Sequence, residues 1–220
     1  MITVVSTGCG SPTKRICKSS VAAQLDVDFE HIYVEAADQH PRKTVAQNVY
    51  EAVAKLPAHR TVAWVDGDDW LSHPLALAHV RKIYEVHPEA WVVYGQFMTS
   101  SGQKGFAAPY PSADFRREPW LATHLKTFKA GLLQRVRPED LQLDGVWLDR
   151  AVDIAIMLPM LEMAGPQRIL FNAQVLYIYH DTASFEANAS PEEIAREKEM
   201  ERRVRAKTPY EEIPTRRQQS

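Results

Sequence analysis

Cysteine is scarce in this chain: Cys9 and Cys17 are the only two in 220 residues. Two thiols cannot build a disulfide framework or a cysteine-rich zinc site, and they suit a reducing compartment. An excess of charge of either sign is also lacking. Lys and Arg number 26 against 28 Asp and Glu, a net charge of −2 with a pI near 6.5, which leaves no general field to hold a polyanion and argues against a strongly basic nucleic-acid clamp. No apolar run approaches the roughly 20 residues needed to cross a bilayer. The opening Met1-Ile2-Thr3-Val4-Val5-Ser6-Thr7-Gly8 has no basic stretch and no long apolar one, so no secretory signal is expected there. Internal repeats and low-complexity tracts are missing too. What is present is an ordinary globular balance, 45% hydrophobic and 25% charged, and the expectation is a soluble cytoplasmic protein.

The first half alternates short apolar runs with amphipathic stretches. Ile2 to Ser6, His31 to Val34, Thr61 to Val65 and Trp91 to Tyr94 read as strands, being short and rich in β-branched or aromatic residues. Thr13 to Leu25, with Ile16, Val21, Ala22 and Leu25 on one face and Ser11 or Thr13 as cap, reads as a helix. So do the stretch from Val45 to Leu56 and that from Leu75 to Tyr84. Such alternation is the signature of βαβ units around a mostly parallel sheet. The second half differs: residues 99–119 form a long Gly-, Pro- and Ser-rich loop, Thr123 to Arg135 and Ala151 to Ala164 are expected helices, and Phe171 to Tyr179 a late strand. Ser190-Pro191-Glu192-Glu193 is a helix start, since Ser caps, Pro fits the first turn and the carboxylates suit the positive end of the dipole. The expected division is one α/β domain over residues 1–188, with a donor half to about 98 and an acceptor half from 99. A charged, solvated helix and frayed tail follow over 189–220, with a surface available for oligomer contacts.

The chemistry concentrates in Val65-Asp66-Gly67-Asp68-Asp69-Trp70-Leu71. Three carboxylates in four positions at the carboxyl end of a buried strand repel one another, and a divalent cation such as magnesium or manganese relieves that cost. Ligands of open α/β sheets gather at that end of the strands. A plainer reading has Asp66-Gly67 as a turn and Asp68 as the cap of the helix after Ser72, although a turn needs only one or two such residues.

Asp66-Gly67-Asp68 resembles the Asp-X-Asp motif of GT-A glycosyltransferases, and Trp64 to Leu71 is similar to its form in glycosyltransferase family two. Strand one with Ser6-Thr7, the helix carrying Cys17, Ser20 and Gln24, Asn48 on the second helix, the long loop, Thr127-Phe128 and Asp153 follow in the order that family shows, over about residues 2–185. The resemblance implies a GT-A fold, a nucleotide-diphospho-sugar donor (a UDP-sugar being expected) and inversion at the anomeric carbon by a hexosyl- or pentosyltransferase. It assigns Asp68 as the direct metal ligand, Asp66 to the metal or the ribose, and Asp69 as a supporting partner. His180, at the end of Tyr177-Ile178-Tyr179-His180, closes the metal shell. A lone His is otherwise most often a surface or satisfied core residue.

Thr7 and Gly8 at the mouth of strand one are candidates for approach to base or phosphate, and Glu35 and Asp38 for the base. The family's usual Asp-Asp-Gly-Ser pattern is replaced here by Glu35-Ala36-Ala37-Asp38. Lys43, Lys126 and Lys129 are phosphate candidates. An inverting enzyme also needs a carboxylate to take the acceptor proton. Asp149 and Asp153, four apart, would share a helical face, and Asp153 matches the family position; the simpler role for both is to open a helix. Asp144 is a weaker third. Trp120 and Trp147 offer flat faces to a sugar or base, or serve the core.

The acceptor hydroxyl is left open among a glycan, a lipid-linked sugar, a protein and a modified nucleobase. The rival readings are a sugar-nucleotide nucleotidyltransferase, of which Gly8-Cys9-Gly10-Ser11-Pro12-Thr13-Lys14-Arg15 is a loose echo, and a non-catalytic sugar-nucleotide-binding module. A Rossmann oxidoreductase is disfavoured because no Gly-X-Gly-X-X-Gly follows strand one.

Overall fold

Strand β3 (Thr61–Asp66) shows how the fold is built. Its side chains alternate between two cores: Val62 and Trp64 face one, Ala63 and Val65 the other, all fully buried. A strand buried on both faces reads as a continuous apolar run and needs helices above and below it. The computed structural model describes residues 1–8, 13–35, 39–183 and 188–214; of the residues singled out above, Cys9, Gly10, Ser11, Pro12, Ala36, Ala37 and Asp38 lie outside these.

A seven-stranded sheet has the order β2 (Phe29–Glu35), β1 (Ile2–Gly8), β3, β6 (Lys126–Lys129), β5 (Val92–Thr99), β9 (Ile169–Tyr179), β4 (Trp70–Leu71). β1, β2, β3, β5 and β9 run one way. β6 and β4 run against them, so the sheet is mostly parallel as expected. A separate hairpin pairs β7 (Gln142–Leu143) with β8 (Val146–Trp147). Helices α1 (Lys14–Ala22) and α3 (Ala76–Val86) contribute to one core. The other face carries α2 (Val45–Ala54), the short α4 (Ala130–Leu133) and α5 (Val152–Ala164). α5 is apolar all round and keeps Pro159 in its interior. Such a proline costs about 3 kcal/mol, and its buried surroundings from Ile154 to Leu161 offset that.

Three expectations need correction. In α1 the buried residues are Cys17 and Val21, with Gln24 just beyond, while Ile16 and Leu25 are exposed. Gln24 faces inward because its amide fastens α1 to α3, donating to the His73 carbonyl at 2.9 Å and accepting from Leu77 N at 2.8 Å. The Thr123–Arg135 helix is instead β6 followed by one turn, α4. The gap between β3 and β5 needs a hydrogen-bonding strand, and pairing on both sides outweighs the helical spacing of Leu125, Phe128, Leu132 and Leu133. The C-terminal segment is not simply solvated. Its helix, α6 (Pro191–Arg205), opens with the expected capping box of Ser190 and Glu193, yet buries Val204, and Arg205 donates to the carbonyls of Phe115, Arg116 and Glu118. Beyond it the chain stays docked, with Ile213 N on the Met163 carbonyl at 2.9 Å and Arg168 paired with Glu212 at 2.7 Å.

His31 on β2 supplies a stability prediction. Burial, with help from the Lys18 charge, lowers its pKa from 6.5 to about 4. The folded state therefore holds His31 neutral where the unfolded chain would protonate it, so its favourable contribution is complete above pH 6.5 and is lost as pH falls toward 4. Urea denaturation at pH 7 and pH 5 should show the parent losing more stability on acidification than His31→Gln; equal losses would contradict this.

Candidate active site

The loop after β3 is held tightly against β1. Gly67 N donates to the Thr7 carbonyl at 3.1 Å, and a Cβ on Gly67 would lie 2.6 Å from that oxygen and 2.8 Å from Gly8 Cα. Only glycine fits between the two backbones. Gly67→Ala should therefore cost about 1–3 kcal/mol through overpacking, read as a lower denaturation midpoint; a midpoint equal to the parent's would show that the loop has room.

This close approach aims the three aspartates at different surroundings. Asp69 is buried, accepting from Tyr177 Oη at 2.7 Å and from His180 N at 2.8 Å. Burial and then the charges of Asp66 and Asp68 hold its carboxyl well above the usual range. Asp66 is pushed up to about 6, again chiefly by burial, with Lys126 working against the rise. Its Oδ2 lies 3.4 Å from Lys126 Nζ, 3.4 Å from Tyr177 Oη and 3.8 Å from His124 Nδ1. Asp68 makes no hydrogen bond or ion pair with a described residue and faces a cavity of about 740 Å³.

That cavity is lined by Asp66, Asp68 and Asp69 together with Asp153, Trp120, His124, Thr99, Lys104 and Phe106. Asp153 stands in the first turn of α5, and Lys126 Nζ donates to its Oδ2 at 2.8 Å. Strand β9 brings Tyr179 to the cavity lining and Tyr177 beneath it, and the His124 ring stacks on Tyr177 at 4.5 Å and on Tyr179 at 5.6 Å between centroids. Burial, assisted by Lys126, holds His124 well below its ordinary pKa, so it is a neutral imidazole, and its buried Nδ1 has no hydrogen-bond partner among the described residues. Oxygen or nitrogen atoms of Asp66, Asp69 and His124 lie within 4.8 Å of one another. Two carboxyl groups and a neutral imidazole with an unused nitrogen could hold a divalent cation, the imidazole fitting a transition metal such as Mn²⁺ better than the oxygen-preferring Mg²⁺.

The other candidates do not line this cavity, although His180 and Lys126 contact residues that do. Asp149 does not share a helical face with Asp153: it precedes α5, beyond the left-handed Ala151 (φ 52°), and pairs with Arg196 at 3.2 Å. Asp144 is exposed and pairs with Arg203 at 2.8 Å. Thr7 and Gly8 end β1, where the space a Gly8 side chain would need is filled by the Tyr33 ring. Glu35 ends β2 and pairs with Lys14. His180 places its backbone N on Asp69 and its Nε2 3.1 Å from Thr182 Oγ1, leaving a buried Nδ1 without a hydrogen-bond partner among the described residues. Of the lysines, Lys43 pairs with Glu51, Lys129 bonds Thr61 Oγ1 at 2.9 Å, and Lys126 is wholly internal. Trp147 packs on Tyr50. Cys17 is fully buried, and burial pushes its thiol up to about 12.

Sequence reasoning missed His124, Tyr177 and the internal role of Lys126. A strand reading would have revealed Lys126, because alternation puts it with the core residue Phe128 on one face, opposite Trp64.

The architecture is that of GT-A nucleotide-sugar glycosyltransferases. The 1–349 portion of S. aureus TarS, in complex with UDP-GlcNAc, is similar with a TM-score of 0.59 at 14% identity, covering 92% of this chain and 66% of that one. Glucosyl-3-phosphoglycerate synthase from Mycobacterium tuberculosis, in complex with Mn²⁺, UDP and phosphoglyceric acid, gives 0.57 at 13% identity over 98% of this chain and 80% of that one. The mannosyltransferase PcManGT from Pyrobaculum calidifontis, with GDP-Man and Mn²⁺, gives 0.52 at 16% identity over 80% and 56%. The chain spans 60 to 66% of the TarS 1–349 fragment. The sequence matches no family model and no curated protein. Among the described residues no helix is long and apolar enough to cross a membrane.

Proposed function

We propose that the chain is a metal-dependent inverting glycosyltransferase that moves a sugar from a nucleotide-diphospho-sugar to an acceptor hydroxyl. One observation carries this reading: Asp66 and Asp68 from the end of β3 and Asp153 from the start of α5 line a single cavity at the carboxyl end of the parallel strands. The ligands of the three solved proteins, UDP-GlcNAc, UDP with Mn²⁺ and GDP-Man with Mn²⁺, support the donor class.

Asp68 and Asp66 supply carboxylate oxygens for a divalent cation, with a histidine completing the set. Bound there, the cation would act as a Lewis acid for the departing nucleoside diphosphate. Thr7, Gly8 and Glu35, at the ends of β1 and β2, form the side toward the nucleotide. Asp153 takes the proton of the acceptor hydroxyl as that oxygen attacks the anomeric carbon opposite the leaving diphosphate, which inverts the configuration. The acceptor enters through an adjoining cavity of about 480 Å³ that shares Val45, Trp120 and Asp153 with the first and is walled by Arg150, Ile194 and Lys198. Trp120 offers a flat face there.

The histidine is decided by paired variants. His180→Ala should weaken Mn²⁺ binding about tenfold in a calorimetric titration. A parent-like His180→Ala beside a weakened His124→Ala would give the place to His124. The function itself is tested by incubating the protein with Mn²⁺ and a panel of UDP-, GDP- and other nucleotide sugars. Release of nucleoside diphosphate is expected, whereas release of pyrophosphate would identify a nucleotidyltransferase.

A further inference from the structure

Lys126 is fully buried, and an internal ammonium persists only where partners compensate for lost water. Its partners come from two sides of the site. Nζ donates to Asp153 Oδ2 at 2.8 Å and to Asp66 Oδ2 at 3.4 Å, and it sits 4.0 Å from the centroid of the Trp64 ring. Backbone register fixes this arrangement, because Lys126 and Trp64 are directly opposed across the β3–β6 pair. A slip by one residue would exchange the ammonium for the Thr127 hydroxyl. The geometry thus joins the carboxylate on the metal side to the one on the acceptor side through a single cation.

We infer that Lys126 is a positioning residue and an internal counter-cation. It fixes Asp153 through Oδ2, leaving Oδ1 to receive the acceptor proton, and it competes with the divalent cation for Asp66. The inference rests on the metal-dependent reading above. Its distinguishing consequence is that removing Lys126 strengthens metal binding while it impairs turnover. A purely structural lysine would, on removal, weaken both.

The test is a calorimetric Mn²⁺ titration and a thermal melt with and without Mn²⁺, on the parent, Lys126→Met and Lys126→Arg. Lys126→Met should bind Mn²⁺ about tenfold more tightly, since a unit positive charge beside the ligand set is gone. Mn²⁺ should also raise its melting temperature more than it raises the parent's. Lys126→Arg, which keeps the charge, should return Mn²⁺ affinity toward the parent's. With whichever nucleotide sugar the parent turns over, Lys126→Met should lose at least tenfold in kcat with donor KM within about twofold.

If Lys126→Met does not fold, Lys126→Met with Asp153→Asn removes one charge of each sign. That pair should still bind Mn²⁺ more tightly than Asp153→Asn alone. Unchanged or weaker Mn²⁺ binding in a folded Lys126→Met, or in the double variant, overturns the inference. A parent that binds no Mn²⁺ overturns the metal reading instead.

Discussion

Asp153→Asn should cut turnover by roughly 10²- to 10⁴-fold, the range expected when a general base is removed, and should leave nucleotide-sugar affinity near that of the parent. The substitution keeps size and one carbonyl oxygen, so Lys126 retains an acceptor at the position where it now meets Oδ2 at 2.8 Å. The loss therefore falls on proton transfer in the transition state rather than on packing. Asp149→Asn is the internal comparison. Its carboxylate pairs with Arg196 at 3.2 Å on the wall of the adjoining acceptor cavity, off the helical turn that carries Asp153, so turnover should fall less than in Asp153→Asn. Kinetics with an identified acceptor, plus donor affinity for both variants, decide the matter. A dead Asp149→Asn beside a normal Asp153→Asn would transfer the role, and two active variants would remove the base from this region.

Asp68→Ala should abolish metal-dependent nucleotide binding and leave the fold intact or slightly more stable. Asp68 faces the cavity, and its removal breaks no hydrogen bond or ion pair with a described residue. It also removes a charge that helps hold the carboxyls of Asp66 and Asp69 above their ordinary range, burial being the larger cause for both. Relief of that repulsion gives the sign of the stability change. Calorimetry with Mn²⁺ and a nucleoside diphosphate, beside a urea melt of the metal-free variant, reads both effects. Parent-like metal and nucleotide binding by a folded Asp68→Ala would show that the metal is held elsewhere.

The first half of the chain was largely legible because its physics is local. Buried parallel strands write themselves as apolar runs, and Val62 to Val65 ends abruptly in the carboxylate of Asp66. The parts that were not legible depend on distant partners. β6 is a four-residue strand carrying two lysines, and nothing nearby in sequence announces that Lys126 will be neutralised by Asp66 and Asp153. Its neighbour His124 becomes a site residue only because β9, some fifty residues later, sets Tyr177 and Tyr179 against its ring. The pairing of Asp149 with Asp153 failed for a local reason that spacing cannot show, a left-handed residue at Ala151 that starts α5 too late to include Asp149. The docked C-terminal segment was hidden by its charge, since Arg205 and Lys207 are spent on carbonyls of loops 115–118 and 139–142 rather than on water.

Everything proposed for this site requires the aspartates after β3 to hold a divalent cation through which the nucleotide diphosphate of a sugar donor is bound. Calorimetric titration of the parent with UDP and with GDP, in Mn²⁺ and again in EDTA, tests it most directly. The account predicts saturable binding of at least one nucleotide in Mn²⁺, weakened at least tenfold by EDTA. Binding of equal strength in both conditions, or of neither nucleotide in Mn²⁺, would contradict it.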